Sequence, residues 1–182
     1  MKKLTLEEIS EQRLTPDSLQ TAERVPVYAL LDNIRSLYNV GSMFRTADAA
    51  RIEKMLLCGI TGYPPRKELD KTALGATDTV PWEYHPDAIS VVEQLKAQQI
   101  PIVVLEHTTK SAPHWSFDFP FPCCLVVGHE VWGIQQEILE KADYAIEIPM
   151  FGAKHSLNAS VAFAIAVYDA LAKFKQVKGY PL

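Results

Sequence analysis

The residues of this 182-residue chain that could do chemistry sit in three loops. The first, DNIRSLYNVGSMFRTAD, offers Asn39, Gly41 and Arg45. Arg45 falls four residues past Gly41 on the first turns of an expected helix, where the macrodipole disfavours a cation. Such an arginine serves an anion, packing, or a structural ion pair with Asp48 or Asp32. The second loop, GHEVWG, holds Glu130 between two glycines. A carboxylate there can take a ligand hydroxyl or amine, orient an arginine, act as a base, or simply close a surface turn. The third, PMFGAKHSLN, has Gly152 and Ala153 for a close bend, then Ser156 and Asn158, whose side-chain oxygens suit helix capping. No GxGxxG or GxxxxGK[ST] phosphate loop occurs, which argues against an NAD or ATP enzyme. The five histidines (His85, His107, His114, His129, His155) lack an HExxH-type spacing, so no metal site is expected.

Each loop follows a short, nearly continuous apolar run, the form of strands covered on both faces. Runs at 25–32, 54–60, 100–106, 123–128 and 144–150 predict five strands; helical patterns at about 38–51, 68–76, 87–99, 134–142 and 157–175 lie between and after them. Asp87 is placed to cap the third helix, and Gly133 with Ile134 opens the fourth after a tight turn. Alternating strand and helix means an α/β domain with a mostly parallel sheet and crossover helices. In such sheets ligands sit outside the carboxyl ends of the strands, where all three loops fall. The last helix, VAFAIAVYDALAKF, has too few polar positions for one buried face, so it lies deep in the core or forms half of a subunit interface.

Composition sets the wider bounds: 48% apolar and 22% charged residues describe an ordinary globular domain. The longest apolar run is broken by Asn158, Ser160 and Asp169 and is shorter than the roughly 20 residues of a bilayer span. The charged start MKKLTLEEISEQR has no secretory h-region, so a cytoplasmic protein is expected, with residues 1–24 as an arm before a single domain at 25–182. The three cysteines, two of them adjacent, form neither a disulfide framework nor a metal pair and read as small core residues. A net charge of −4 excludes a generally basic nucleic-acid coat. Residues 33–71 nevertheless hold seven basic side chains, among them Arg35, Arg66, Lys67 and Lys71, against four acidic ones.

Taken together, NVGSMFRTADAA at 39–50, LVVGHEVWGI at 125–134 and IEIPMFGAKHSLNASVAFAIAVYDAL at 146–171 resemble, in order, the three motifs of the SpoU (TrmH-type) RNA 2′-O-ribose methyltransferases of the SPOUT class. KTALGA at 71–76 also looks like the family's intervening segment. The likeness runs from about residue 25 to 173. It departs at His129, where Asn is frequent, and at Ala159, where Val would stand. The resemblance implies a deep C-terminal trefoil knot, which general topology rules would have rejected. It also implies a homodimer and S-adenosylmethionine held by backbone near Leu105, Gly128, Ile148, Met150 and Leu157.

The reaction implied is methyl transfer to a ribose 2′-oxygen, which makes the substrate RNA, tRNA or rRNA, rather than DNA. Arg45 matches the family's catalytic arginine. Its guanidinium, with a pKa above about 12, is a poor base, so it is expected to anchor a phosphate and stabilise the developing oxyanion. Asn39, Glu130, Ser156 and Asn158 match the remaining motif positions and are expected to shape the site. Two other readings compete: a non-catalytic RNA-binding or assembly module on the same scaffold, and a methyltransferase acting on something other than RNA. The full constellation of motif residues favours catalysis, whereas the acidic pI keeps the last reading open.

Overall fold

The computed structural model describes residues 1–179; the last three residues of the expected 25–182 domain lie outside the described residues. Seven strands, β1 (Val25–Asp32), β2 (Ile52–Cys58), β3 (Trp82–His85), β4 (Ile102–Leu105), β5 (Ala112–Pro113), β6 (Cys123–Val127) and β7 (Tyr144–Glu147), form one sheet in the order β3-β2-β1-β6-β4-β7-β5. Every pairing is parallel. The five expected strands are β1, β2, β4, β6 and β7. The other two, β3 and β5, are edge strands too short and too exposed to leave an apolar run in the sequence.

Among the described residues seven α-helices accompany the sheet: α1 (Leu6–Ser10), α2 (Pro16–Thr21), α3 (Leu37–Ala50), α4 (Lys67–Ala73), α5 (Ala88–Ala97), α6 (Gln136–Lys141) and α7 (Ala159–Val177). Successive strand residues point to opposite faces, which splits the core in two. Leu31, Leu57, Val103 and Leu125 pack with Val40, Phe44, Phe163 and Ala166 of α3 and α7. Leu30, Leu56, Val104 and Val126 pack with Val92 and Leu95 of α5 and Ile138 of α6. Covering both faces is what requires strands with no polar alternation. Fully buried side chains such as Phe44 and Phe163 each contribute up to about 3 kcal/mol of apolar burial.

The expected cap of α5 is present, whereas α6 begins at Gln136, two residues beyond Ile134. The Asp87 carboxylate accepts from the amides of Ile89 and Ser90, at 3.1 Å each, and caps α5. The Ser36 hydroxyl caps α3, accepting from the Asn39 amide at 3.3 Å. Gly41 has a packing reason: a Cβ there would meet the Leu69 carbonyl oxygen and the Thr72 hydroxyl, so its absence lets α3 and α4 approach closely. In the arm, Arg24 donates to the carbonyls of Ile52 and Thr79 at 3.1 Å each.

The last helix is not buried all round. Phe163, Ala166, Val167, Ala170 and Phe174 face the core, whereas Val161 and Tyr168 are about half exposed. Of the two environments expected for it, α7 occupies the core along one face and keeps the other apolar face at the surface. Cys58, Cys123 and Cys124 are free and buried, as expected of small core residues. Burial pushes the thiols of Cys58 and Cys123 up to about 12.

Candidate active site

The carboxyl ends of β4, β6 and β7 open into a cavity of about 360 Å³. Leu105, Gly128, Ile148, Met150 and Leu157 all line it, together with Glu130, Ser156 and Asn158. The second and third loops therefore meet beside the end of β4, and the first loop is tied to them at the carboxyl end of the sheet.

A hydrogen-bonded chain joins them. Glu130 accepts from the Arg35 amide at 2.9 Å through one carboxylate oxygen. Its other oxygen accepts from the Ser36 amide at 3.0 Å and from Asn39 Nδ2 at 2.9 Å. Asn39, buried at the start of α3, in turn accepts on Oδ1 from Asn158 Nδ2 at 3.1 Å. Asn158 completes the link by capping α7, its Oδ1 accepting from the amides of Ser160 and Val161 at 2.9 and 3.4 Å. Burial acts to raise the Glu130 pKa, but the amides of Arg35, of Glu130 itself and of Ser36, with the Asn39 side chain, outweigh it and hold the carboxyl below its ordinary value. The Glu130 carboxylate thus anchors the N-terminus of α3, where a negative charge also suits the helix dipole.

Ser156 lines the cavity but caps nothing; among the described residues its hydroxyl makes no hydrogen bond. Arg45 lies elsewhere. It is exposed on the ridge of α3 that also carries Tyr38 and Ala49, and it does not line the cavity of its own chain. Neither expected ion pair forms: Asp48 accepts from the Thr79 hydroxyl, and Asp32 is taken up by Gln135. Among the described residues the Arg45 guanidinium has no partner.

Two acidic residues that motif reasoning passed over complete the edge. Asp32, fully buried at the end of β1, accepts from the Gln135 amide at 3.0 Å and its side-chain nitrogen at 2.7 Å, tying β1 to the second loop. Glu106, just past β4, accepts from the amides of His107 at 3.0 Å and Ile134 at 3.2 Å and lines the cavity. The available signal was a carboxylate ending an apolar run, in VPVYALLD and IPIVVLE. His129 Nδ1 accepts from the Val131 amide at 3.0 Å, closing the turn that follows it. Gly133, at φ +68°, permits that turn, and a side chain there would run into Glu106. Among the described residues no group of three or more His, Cys, Asp or Glu could hold a metal ion, and no helix is long and apolar enough to cross a membrane.

Residues 26–168 match the model of the SpoU rRNA Methylase family. The chain belongs to that family. The SpoU match covers all three loops and all of the sheet but Val25. Among relatives, the tRNA (guanosine(18)-2′-O)-methyltransferase of Thermus thermophilus is 30% identical over 141 residues, covering 78% of this chain and 72% of that protein. Among solved structures, the A. aeolicus TrmH/SpoU tRNA modifying enzyme superposes with a TM-score of 0.80 at 27% identity, over 94% of this chain and 86% of that one. The AdoMet-bound rRNA methyltransferase from Sinorhizobium meliloti superposes at 0.75 with 25% identity, over 91% of this chain and 69% of that one. The chain spans between 60% and 72% of the length of the first curated relatives it matches.

Proposed function

We propose that this SpoU-family chain is an S-adenosylmethionine-dependent RNA 2′-O-ribose methyltransferase acting on tRNA or rRNA. The observation that carries the reading is the Glu130–Asn39–Asn158 chain at the mouth of a cavity lined by all five positions expected to hold the cofactor. The cavity fits the group: Leu105, Val127, Ile148, Met150, Leu157 and Ala162 supply an apolar wall for an adenine ring. When bound, S-adenosylmethionine supplies an activated methyl group.

The chain's own residues do the rest. Glu130 and Asn39 fix the start of α3, and through Asn158 the start of α7, so the ribose site is held between two helix N-termini. Ser156 presents an uncommitted hydroxyl to that space. Arg45 anchors a phosphate beside the target ribose, aligning the 2′-hydroxyl and stabilising its developing charge, while the proton leaves to solvent. Arg35, Arg66, Lys67 and Lys71 extend the positive surface along the RNA backbone.

The homodimer we propose explains why Arg45 lies outside its own cavity. The outward face of α7 carries Val161, Ala164 and Tyr168, and Leu157 just before the helix and Phe151 in the preceding loop are exposed as well. Exposed apolar side chains gathered along one helix face suit an interface. Ala49 of α3 and Tyr168 of α7 line one groove, and Arg45 is one turn from Ala49, so pairing through α7 brings the arginine to the seam between subunits. The trefoil knot belongs to the same reading; the placement of β6 between β1 and β4, with β7 beyond β4, supports it. Residues 25–182 then form one catalytic domain with 1–24 as its arm, and the compartment we propose is the cytoplasm.

The test is incubation with methyl-labelled cofactor and bulk tRNA, rRNA or protein. Label in the 2′-O-methyl nucleosides of RNA is the expected result. A tight RNA complex without label would favour a binding module, and label in protein would move the substrate class.

A further inference from the structure

Within the same cavity one property is not explained by holding an adenosyl group: its charge. Three glutamates, Glu106, Glu130 and Glu147, line it, and among the described residues no lysine or arginine does. Glu130 is consumed by its three donors. The other two are not. Leu105 and Ile146 are register partners on the adjacent parallel strands β4 and β7, so Glu106 and Glu147 leave the sheet side by side, one step further on. Like charges in neighbouring register positions are destabilising unless something offsets them.

The surrounding groups hold both carboxylates in place, and among the described residues no lysine or arginine pairs with either. Each Glu106 oxygen accepts a single backbone amide, from His107 or Ile134, and the turn at Gly133 closes directly over one of them. Glu147 Oε2 accepts from the Ser111 hydroxyl at 2.5 Å and faces His107 Nδ1 at 3.4 Å. Its Oε1 has no partner among the described residues. Two fixed anions on a cavity wall select a cationic ligand.

We propose that Glu106 and Glu147 read the charge of the cofactor, favouring the sulfonium form over the spent thioether, so that methyl transfer itself weakens the grip on the product. The inference rests on the assignment of the cavity to S-adenosylmethionine. Transfer breaks the sulfur–methyl bond, leaves its electron pair on sulfur and forms the new oxygen–carbon bond as the hydroxyl proton departs to solvent. The ligand thereby goes from one net positive charge to none. Attraction to the two carboxylates disappears at that moment, while apolar contacts to the adenine remain.

The experiment is calorimetric titration of the full chain, wild type, Glu106→Gln and Glu147→Gln, with three probes. These are S-adenosylmethionine, S-adenosylhomocysteine and an analogue with an ammonium group in place of the sulfonium. We expect the wild type to bind both cationic probes more tightly than the neutral one. Each substitution should shrink that preference roughly fivefold or more while leaving affinity for the homocysteine form nearly unchanged. If all three affinities fall together, the carboxylates merely hold the loop, and the proposal is overturned. A preference for the methyl sulfonium that the ammonium analogue does not share overturns it too, because shape rather than charge would be read. Should the wild type bind none of the probes, the cofactor assignment falls and takes this inference with it. Thermal melting of ligand-free variants identifies a variant that has lost its fold; Glu106→Asp, which keeps the charge, must then retain the preference.

Discussion

Replacing Glu130 by glutamine isolates the charge at the centre of the site while keeping its shape. In the native arrangement one oxygen accepts two hydrogen bonds, from the Ser36 amide and Asn39 Nδ2, and the other accepts one from the Arg35 amide. A glutamine can place its carbonyl oxygen at the first position and keep two of these, uncharged and weaker. Its NH2 group then faces the Arg35 amide, donor against donor. One lost charge-assisted bond and two weakened ones amount to about 2 kcal/mol at neutral pH, a figure already reduced for partial solvent access.

The pH dependence gives an independent check of sign. The folded-state pKa of Glu130 lies below its ordinary value of 4.5, so its stabilisation is present above that value and is lost as pH falls through the folded pKa. Urea unfolding at neutral pH and in steps below 4.5 should therefore show wild type and Glu130→Gln converging on acidification. Equal stability at neutral pH, or a gap that widens in acid, would refute the anchor role. A double-mutant cycle with Asn39→Ala should be strongly non-additive, because both substitutions break one chain of bonds.

Arg45→Ala should leave thermal stability and S-adenosylmethionine affinity near wild type, since the side chain has no partner among the described residues, yet lower methyl transfer by about 10²-fold or more; single-turnover assays would detect retained activity. Ala164→Asp, on the half-exposed side of α7, should split the proposed dimer with the fold intact, read by sedimentation; an unchanged profile would refute the pairing. Val167→Asp is a different experiment, because Val167 is 1% exposed and packs in the core, so circular dichroism should report unfolding. With two thiols raised to about 12 and the third also raised by burial, a thiol reagent at pH 8 should react rapidly only after denaturant is added.

Much of this could be read from the sequence alone, because local physics determines it. Apolar strands such as Val25–Asp32 and Cys123–Val127 require cover on both faces, and that requirement points to a parallel α/β sheet with its loops at the carboxyl ends of the strands. Asp87 and Asn158 cap helices because their side chains reach amides two or three residues away. The order of the motifs names the family for the same reason: it is information written along the chain. Tertiary structure decided what depends on separation in space. Glu130 could have been a base, a ligand group or a turn; bonds to residues more than 90 positions away make it an anchor. Arg45 could have been paired, and among the described residues is not: Asp32 and Asp48 are claimed by Gln135 and Thr79. Val167 and Ala164 are alike in sequence, and only the angle of α7 against the sheet buries one and leaves the other beside solvent. Glu106 and Glu147, 41 positions apart, become neighbours only when β7 pairs with β4, so the charge of the cavity belongs to the fold.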